Sequence, residues 1–222
     1  MGVSKTSFIL LIVAWSVQGD AEDLASKTGG QEPETRVVGG KDAPKGLVKH
    51  QAALKSKDNW TFCGAAVISE RWMLTAAHCV ESRKPSEFTA VVGTLSRNEG
   101  GTTPCQDIKS GLSCLLTGWG KIGERRFAPY ELRYLYVKTL SSKDCNKFFK
   151  GRSRVTISSN QMCTLNKYGE GTCQGDSGGS LVCNGTSAGI VSYNWPCANA
   201  IPDVYTNTYK YNSWIQENTK SP

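Results

Sequence analysis

From Gln51 onward the chain alternates short apolar runs with Gly, Asn, Ser and Pro, and this rhythm constrains its fold more than any other feature. It predicts short antiparallel strands, with apolar runs at 52–54, 65–68, 90–92, 135–137 and 189–193. A helix is expected only near the end, from Tyr209 to Glu217, with Trp214 and Ile215 on its apolar side. With 222 residues, 39% of them hydrophobic, the chain suits one all-β domain or two small barrels around a real core.

The first 19 residues have the pattern of a signal peptide. Lys5 gives a basic start, an apolar run extends from Phe8 to Trp15, and Val17–Gly19 offers small residues for cleavage. A membrane anchor is the alternative, but eight apolar residues are too few to span a bilayer, and no other segment is long and apolar enough. We therefore expect a secreted, extracellular protein without a membrane span.

Cysteine content, net charge and short motifs limit further which functions the chain can have. Nine cysteines in a secreted chain predict disulfides with one cysteine left over. The net charge is +7, and the basic cluster within 147–154 favours a solvated loop over binding to acidic glycans or membranes. Glycosylation sequons begin at Asn59 and Asn184. We find no zinc-ligand spacing, phosphate-binding loop or nucleic-acid motif, and expect no metal, cofactor or nucleic-acid partner.

Two short motifs carry the chemistry: Gly-Asp-Ser-Gly-Gly at 175–179 and Leu-Thr-Ala-Ala-His-Cys at 74–79. A serine needs a nearby base to become a nucleophile, and imidazole is the usual base. Glycines around the serine let backbone N–H groups approach a developing oxyanion. A tight turn is the structural alternative for the glycine-rich run. The other histidine, His50, lies in a basic, loop-like stretch and is expected at the surface.

With their flanking cysteines, these motifs resemble the chymotrypsin-like serine protease family, arthropod chymotrypsins in particular. The resemblance covers residues 36–222 and implies two antiparallel β-barrels of the chymotrypsin type, followed by the C-terminal helix. It implies a domain at 37–222 that hydrolyses peptide bonds of protein or peptide substrates. His78 would be the general base and Ser177 the nucleophile, with the N–H groups of Gly175 and Ser177 as the oxyanion hole.

The resemblance also implies a zymogen. Residues 20–36, acidic and polar, would be an activation propeptide, cut after Arg36 by a trypsin-like protease. The new ammonium group of Val37 would pair with Asp176 and order the serine loop, whereas Arg36 is otherwise an ordinary loop residue. Protein inhibitors are further expected partners. Cys105 is left unpaired or bonds between chains, and the implied disulfides are Cys63–Cys79, Cys114–Cys183, Cys145–Cys163 and Cys173–Cys197.

The same resemblance outlines the specificity pocket. Gly171 would lie at its base, and an uncharged base suits Phe, Tyr, Leu or Met before the cut. Asp203 matches a second pocket position, and this combination broadens acceptance toward Lys or Arg in some arthropod relatives; a loop carboxylate is the alternative. Ser192 and Asn194 belong to the strand that would pair with substrate. Asn194 replaces the usual glycine and is expected to narrow the pocket mouth.

The third member of the triad is missing from its expected place. In the family the acid lies about 45 residues after the histidine and the serine about 140 after it. Here Ser177 follows His78 by only 99 residues. Roughly 40 residues are therefore absent, near 98–103, and with them about two strands of the N-terminal barrel. A clean deletion of this kind suggests a skipped exon or an error in the gene model.

Substitutes for the acid are weak. Asp107 lies between Cys105 and Cys114, where the resemblance places the connection between barrels, and Glu87 and Glu99 are poorer still. Ser192, which hydrogen-bonds the acid in relatives, is retained. We therefore expect little or no protease activity from this chain. The alternative is a non-catalytic protease homologue that binds a partner or inhibitor through the surviving cleft.

Overall fold

The computed structural model of the chain describes residues 10–14, 37–44, 46–69, 71–92, 109–123, 125–150, 155–194 and 196–219. The strands, in chain order, are β1 (Leu10–Ala14), β2 (Lys41–Asp42), β3 (Gln51–Ser56), β4 (Thr61–Val67), β5 (Trp72–Ala76), β6 (Phe88–Val92), β7 (Ser113–Gly118), β8 (Arg133–Leu140), β9 (Gln161–Thr164), β10 (Ser180–Cys183), β11 (Thr186–Tyr193) and β12 (Asp203–Asn207). The helices are α1 (Ala77–Val80), α2 (Ser142–Phe149) and α3 (Asn212–Asn218), with 3-10 turns at Pro85–Glu87 and Thr208–Tyr211.

The strands form two antiparallel sheets. The N-terminal sheet has the order β1-β5-β4-β3-β6, and its two end strands do not pair with each other. The C-terminal sheet has the order β2-β8-β7-β10-β11-β12-β9, and an additional β8–β9 pairing closes six of these strands into a barrel. The predicted all-β class is confirmed, with one complete barrel and one incomplete one.

Alternating burial explains why these segments form strands. In β8, Val137 and Thr139 are buried whereas Tyr136 and Lys138 are exposed, which is the two-residue period of a sheet with one face on a core. Each sheet has its own core. The C-terminal core is built around fully buried Tyr205, and the N-terminal core around Leu54 and Phe88 and their neighbours.

Two helices, the single turn α1 and the longer α2, were not expected from the sequence. α2 begins after Ser141, whose hydroxyl oxygen accepts a hydrogen bond from the backbone N–H of Asp144 at 3.1 Å. Its apolar face buries Cys145 and Phe149, four residues apart. The prediction that helix occurs only at the C terminus was therefore wrong, although the capping Ser141 and the four-residue spacing of Cys145 and Phe149 were signals in the sequence.

The C-terminal helix joins the two halves. It follows the expected position closely: the 3-10 turn Thr208–Tyr211 leads into α3. Trp214 and Ile215 pack against Ala66 and Leu74 of the N-terminal sheet and against Ile190 of the C-terminal barrel. In the part of the chain that the structure describes, no helix is both long and apolar enough to cross a membrane.

Four disulfides reinforce the two sheets. They join the pairs implied by the family resemblance, namely Cys63–Cys79, Cys114–Cys183, Cys145–Cys163 and Cys173–Cys197. The first lies within the N-terminal half and the other three within the C-terminal half. Cys105 lies outside the described residues.

Candidate active site

The loops that hold the predicted base and nucleophile meet at the junction of the two sheets. The carbonyl oxygen of Ser177 accepts a hydrogen bond from the N–H of Gly64, in β4, at 2.7 Å. The hydroxyl of Thr75 donates to the carbonyl oxygen of Gly64 at 2.8 Å. His78 lies three residues after Thr75, and the disulfide of its neighbour Cys79 returns to β4. β4 thus connects both predicted catalytic segments.

Gly178 makes this junction possible. Its backbone has φ +82°, and an added Cβ would overlap the Thr75 hydroxyl and the Gly64 carbonyl oxygen. Because the backbone cannot yield here and alanine is strained at positive φ, we expect Gly178→Ala to lower the free energy of unfolding by about 3 kcal/mol. Urea unfolding measures this. Gly185→Ala is the control, since Gly185 has φ +76° but open space around it, and an equal loss in both variants would contradict the packing argument.

His78 is exposed on α1 and has no catalytic partner among the described residues. Partial loss of hydration lowers the pKa of its imidazole, and the nearby charge of Glu81 opposes this. Among the described residues, neither the Ser177 hydroxyl nor any carboxylate hydrogen-bonds the imidazole. The sulfur atoms of Cys63 and Cys79 lie within 4.8 Å of a His78 nitrogen, but both belong to a disulfide and offer no thiolate to a metal ion.

None of the candidate acids is seen beside His78 in the part of the chain that the structure describes. Asp107 and Glu99 lie outside the described residues. Glu87 is exposed, and its carboxylate accepts a hydrogen bond from the backbone N–H of Lys84 at 3.0 Å, which caps a 3-10 turn. The hydroxyl of Ser192 is buried, and it has no hydrogen-bond partner within the described residues. A buried hydroxyl left unpaired is costly, and none of the described residues supplies an acceptor at this position.

The nucleophile loop presents two unused backbone donors. The N–H of Gly178 donates to Val191 at 2.8 Å, and that of Gly179 to Asp176 at 3.0 Å. By contrast, the N–H groups of Gly175 and Ser177 donate to no other described residue. Gly175 has φ +98°, a conformation that glycine adopts at little cost. Donors of this kind, without a partner among the described residues, are what an oxyanion needs.

Asp176 lies between Gly175 and Ser177 in the sequence, and its carboxyl group is buried. Its carboxylate oxygens accept hydrogen bonds from the N–H of Gly120 at 2.8 Å and of Cys173 at 2.9 Å. Burial nevertheless raises the pKa of Asp176 to about 7, against the effect of the two donors. A side chain on Gly120 would run into this carboxylate, so glycine is required there.

The predicted new N-terminus is already packed inside the protein. Val37 is fully buried in the core of the C-terminal barrel, and Val38 bridges to Gly171. Val37 has φ +41°, which is strained for a β-branched residue. Arg36 lies outside the described residues.

Sequence reasoning missed the residue that anchors this segment. Arg133 is buried, forms an ion pair with Asp42, and donates to the carbonyl oxygen of Gly40 at 2.8 Å. These contacts span more than 90 residues, so no local pattern could have revealed them. A charged residue at a core-facing position of a strand was the only signal.

The predicted pocket residues lie together. The carboxylate of Asp203 is buried directly behind Gly171: a Cβ on Gly171 would come within 2.6 Å of its oxygen. It accepts a hydrogen bond from the N–H of Thr172 at 2.8 Å, and burial raises its pKa to about 7. The side-chain amide of Asn194 donates to the Thr172 hydroxyl at 2.9 Å. Asn194 is thereby fixed to the residue next to Gly171.

Both sequons lie on exposed hairpin turns. Asn59 stands between β3 and β4 with φ +61°, and Asn184 between β10 and β11 with φ +50°. Asparagine tolerates this backbone conformation better than most residues. Both side chains are accessible for modification.

Comparison with known proteins places these features in a family. A family model described as Trypsin matches residues 37–110 and 101–215, two stretches that overlap at 101–110, next to the predicted deletion near 98–103. Chymotrypsin-2 of Vespa crabro is 32% identical over 224 residues, covering 82% of this chain and 99% of that protein. Trypsin-3 of Salmo salar is 30% identical over 239 residues, covering 86% and 95%, respectively. Because 82% of 222 residues is about 182, about 42 of the 224 positions aligned with the Vespa protein have no residue here.

Proposed function

The chain belongs to the trypsin family of serine proteases, and we propose that it is a secreted, zymogen-type endopeptidase with little or no activity because its triad lacks an acid. His78 would be the base, and Ser177 the nucleophile, with the unused N–H groups of Gly175 and Ser177 as the oxyanion hole. The observation that supports the impairment is the buried Ser192 hydroxyl, for which no described residue supplies an acceptor. Without an acid to orient it, the imidazole of His78 adopts the wrong tautomer, and the imidazolium that forms during catalysis is not stabilised.

The contacts of Val37 support activation by cleavage. Residues 1–19 would direct secretion, in keeping with four disulfides that need an oxidising compartment, and 20–36 would be the propeptide. Cutting after Arg36 removes the φ constraint on Val37 and creates an ammonium group inside the C-terminal core. That cation would compensate the buried carboxylate of Asp176.

The pocket geometry supports cleavage after aromatic or large apolar residues. Gly171 leaves the base open, and Asp203 behind it is neutral below about pH 7. Ionisation above that pH would admit Lys or Arg. Asn194, held by Thr172, would narrow the entrance. We propose Asn59 and Asn184 as glycosylation sites.

A second function is supported by the closed C-terminal barrel. It contains the nucleophile loop and the pocket residues, and both are built without the missing segment. A protein inhibitor or partner that recognises these parts would still find them. The chain would then be a non-catalytic homologue that binds proteins.

Labelling with a fluorophosphonate distinguishes the two functions. After cleavage at Arg36, we expect Ser177 to be labelled about 10⁴-fold more slowly than the serine of an intact family member, because activation by the histidine is impaired. The controls are Ser177→Ala and the uncleaved chain, neither of which should be labelled. If the cleaved chain binds a protease inhibitor but shows no label that depends on Ser177, the binding homologue is correct.

A further inference from the structure

The free edge of the N-terminal sheet is covered by a strand from the predicted leader. β1, Leu10–Ala14, pairs antiparallel with β5 through five consecutive residue pairs that span both strands. On its other side, β5 pairs with β4 only through Met73 and Leu74. β1 is therefore the more extensive backbone partner of β5.

The position of β1 corresponds to a gap in the barrel. The strands β5-β4-β3-β6 form a continuous row, and the family resemblance implies that about two strands are missing. Strands that close such a row must lie between β6 and β5, so one of them belongs at the β5 edge. β1 occupies that edge, and it also contacts α1, the helix that carries His78.

The sequence of β1 suits this position. Leu-Leu-Ile-Val-Ala is a continuous apolar run with two β-branched residues, as in strands buried within a sheet. The 22 residues at 15–36 connect it to Val37 and span about 70 Å when extended, enough to reach this edge. A strand tethered in this way has a high effective concentration and outcompetes a second chain for an exposed edge.

We propose that Leu10–Ala14 is the edge strand of the folded precursor and replaces one missing barrel strand at β5. This strand exists only while the leader remains attached to the folded chain, so the pairing and leader cleavage exclude each other. It contains no carboxyl group, so it completes the sheet edge without supplying a triad acid. Removal of the leader would leave β5 uncovered.

A register-specific crosslink in the full chain tests this pairing. Val13 lies opposite Met73, so Val13→Cys with Met73→Cys, in a Cys105→Ser background, is expected to form a disulfide during oxidative refolding. Leu11→Cys with Met73→Cys is the matched control, on the same face but two residues out of register. Mass spectrometry of non-reduced peptides should show at least about tenfold more crosslink for the first pair. Equal yields, or no crosslink in either, would overturn the proposal.

Hydrogen exchange gives a second, cysteine-free measurement. Successive residues of an antiparallel strand alternate between bonded and non-bonded pairs, so Leu11→Pro with Ile12→Pro removes a ladder hydrogen bond in either case. We expect the amides of β5 to exchange about tenfold faster in this variant of the full chain. Val17→Pro with Gln18→Pro, outside β1, should leave their rates unchanged. Unchanged rates in the first variant would mean that β1 does not pair with β5. Neither readout requires protease activity, so this inference can fail while the proposed function stands.

Discussion

Inserting the acid-bearing segment of an active relative should raise the turnover of this chain by about 10⁴-fold. The insertion replaces the roughly 40 missing residues between Asn98 and Pro104, and the assay follows peptide hydrolysis after cleavage at Arg36. An acid that holds the histidine tautomer and stabilises its cation contributes about 10⁴ in turnover, or near 5.5 kcal/mol. The Ser192 hydroxyl, which has no partner among the described residues, would gain an acceptor from the inserted acid.

The control for this experiment is the same insertion with its aspartate changed to asparagine. It restores the missing strands without the charge, and it should remain within about tenfold of the parent chain. Family-level turnover by the parent would show that another group supplies the acid. Equal gains from both insertions would show that barrel closure, not the carboxylate, was lacking. In the active insertion, the cleaved bonds in a peptide mixture report the preference set by Gly171 and Asp203.

Stability of the uncleaved precursor should fall by about 4 kcal/mol between pH 4 and pH 7.5 through Asp176 alone. The pKa of this group is about 7 in the folded chain, compared with its ordinary value of 3.8 in an unfolded chain. A carboxyl group whose pKa is raised by folding contributes most to stability at pH values below its unfolded pKa. That contribution is lost as the pH rises through its folded pKa. The difference of about three units corresponds to about 4 kcal/mol.

Cleavage at Arg36 should remove this pH dependence. The Val37 ammonium would lower the pKa of Asp176, so its carboxylate would no longer be penalised at neutral pH. Urea unfolding at several pH values, followed by the fluorescence of the five tryptophans at 37–222, which both forms contain, measures the slope in each form. Asp176→Asn is the control, because the precursor variant should lose that part of the slope while Asp203 keeps its own. Identical slopes before and after cleavage would contradict the pairing.

Local sequence signals predicted the fold class well. Apolar runs at 52–54, 65–68 and 90–92 lie within β3, at the end of β4 and within β6, because strand patterns depend on neighbouring residues. The motifs around His78 and Ser177 identified two segments that the fold brings together at the junction of the two sheets. Their catalytic roles remain predictions.

Contacts between distant segments could not be predicted. The pairing of Arg133 with Asp42 and Gly40 depends on how the barrel closes, not on any adjacent residue. The pairing of Leu10–Ala14 with β5 could not be predicted either, because a short apolar run is equally typical of a leader and of a strand. The partner of Asn194 was also unforeseen: a narrowed pocket mouth follows from its size, but its bond to Thr172 follows only from the fold.

The placement of the disulfides determines whether the two halves of the protein stay covalently linked after a proteolytic cut between them. Among the eight bridged cysteines, no bond connects residues before 93 with residues after 112. That interval contains Arg97 and Lys109, the residue types after which a trypsin-like activator cuts. One cut there leaves two polypeptides that these bridges cannot hold together. Under the proposed activation at Arg36, the activating cut and a destroying cut would be made by one class of enzyme, so its dose would set the lifetime of the product.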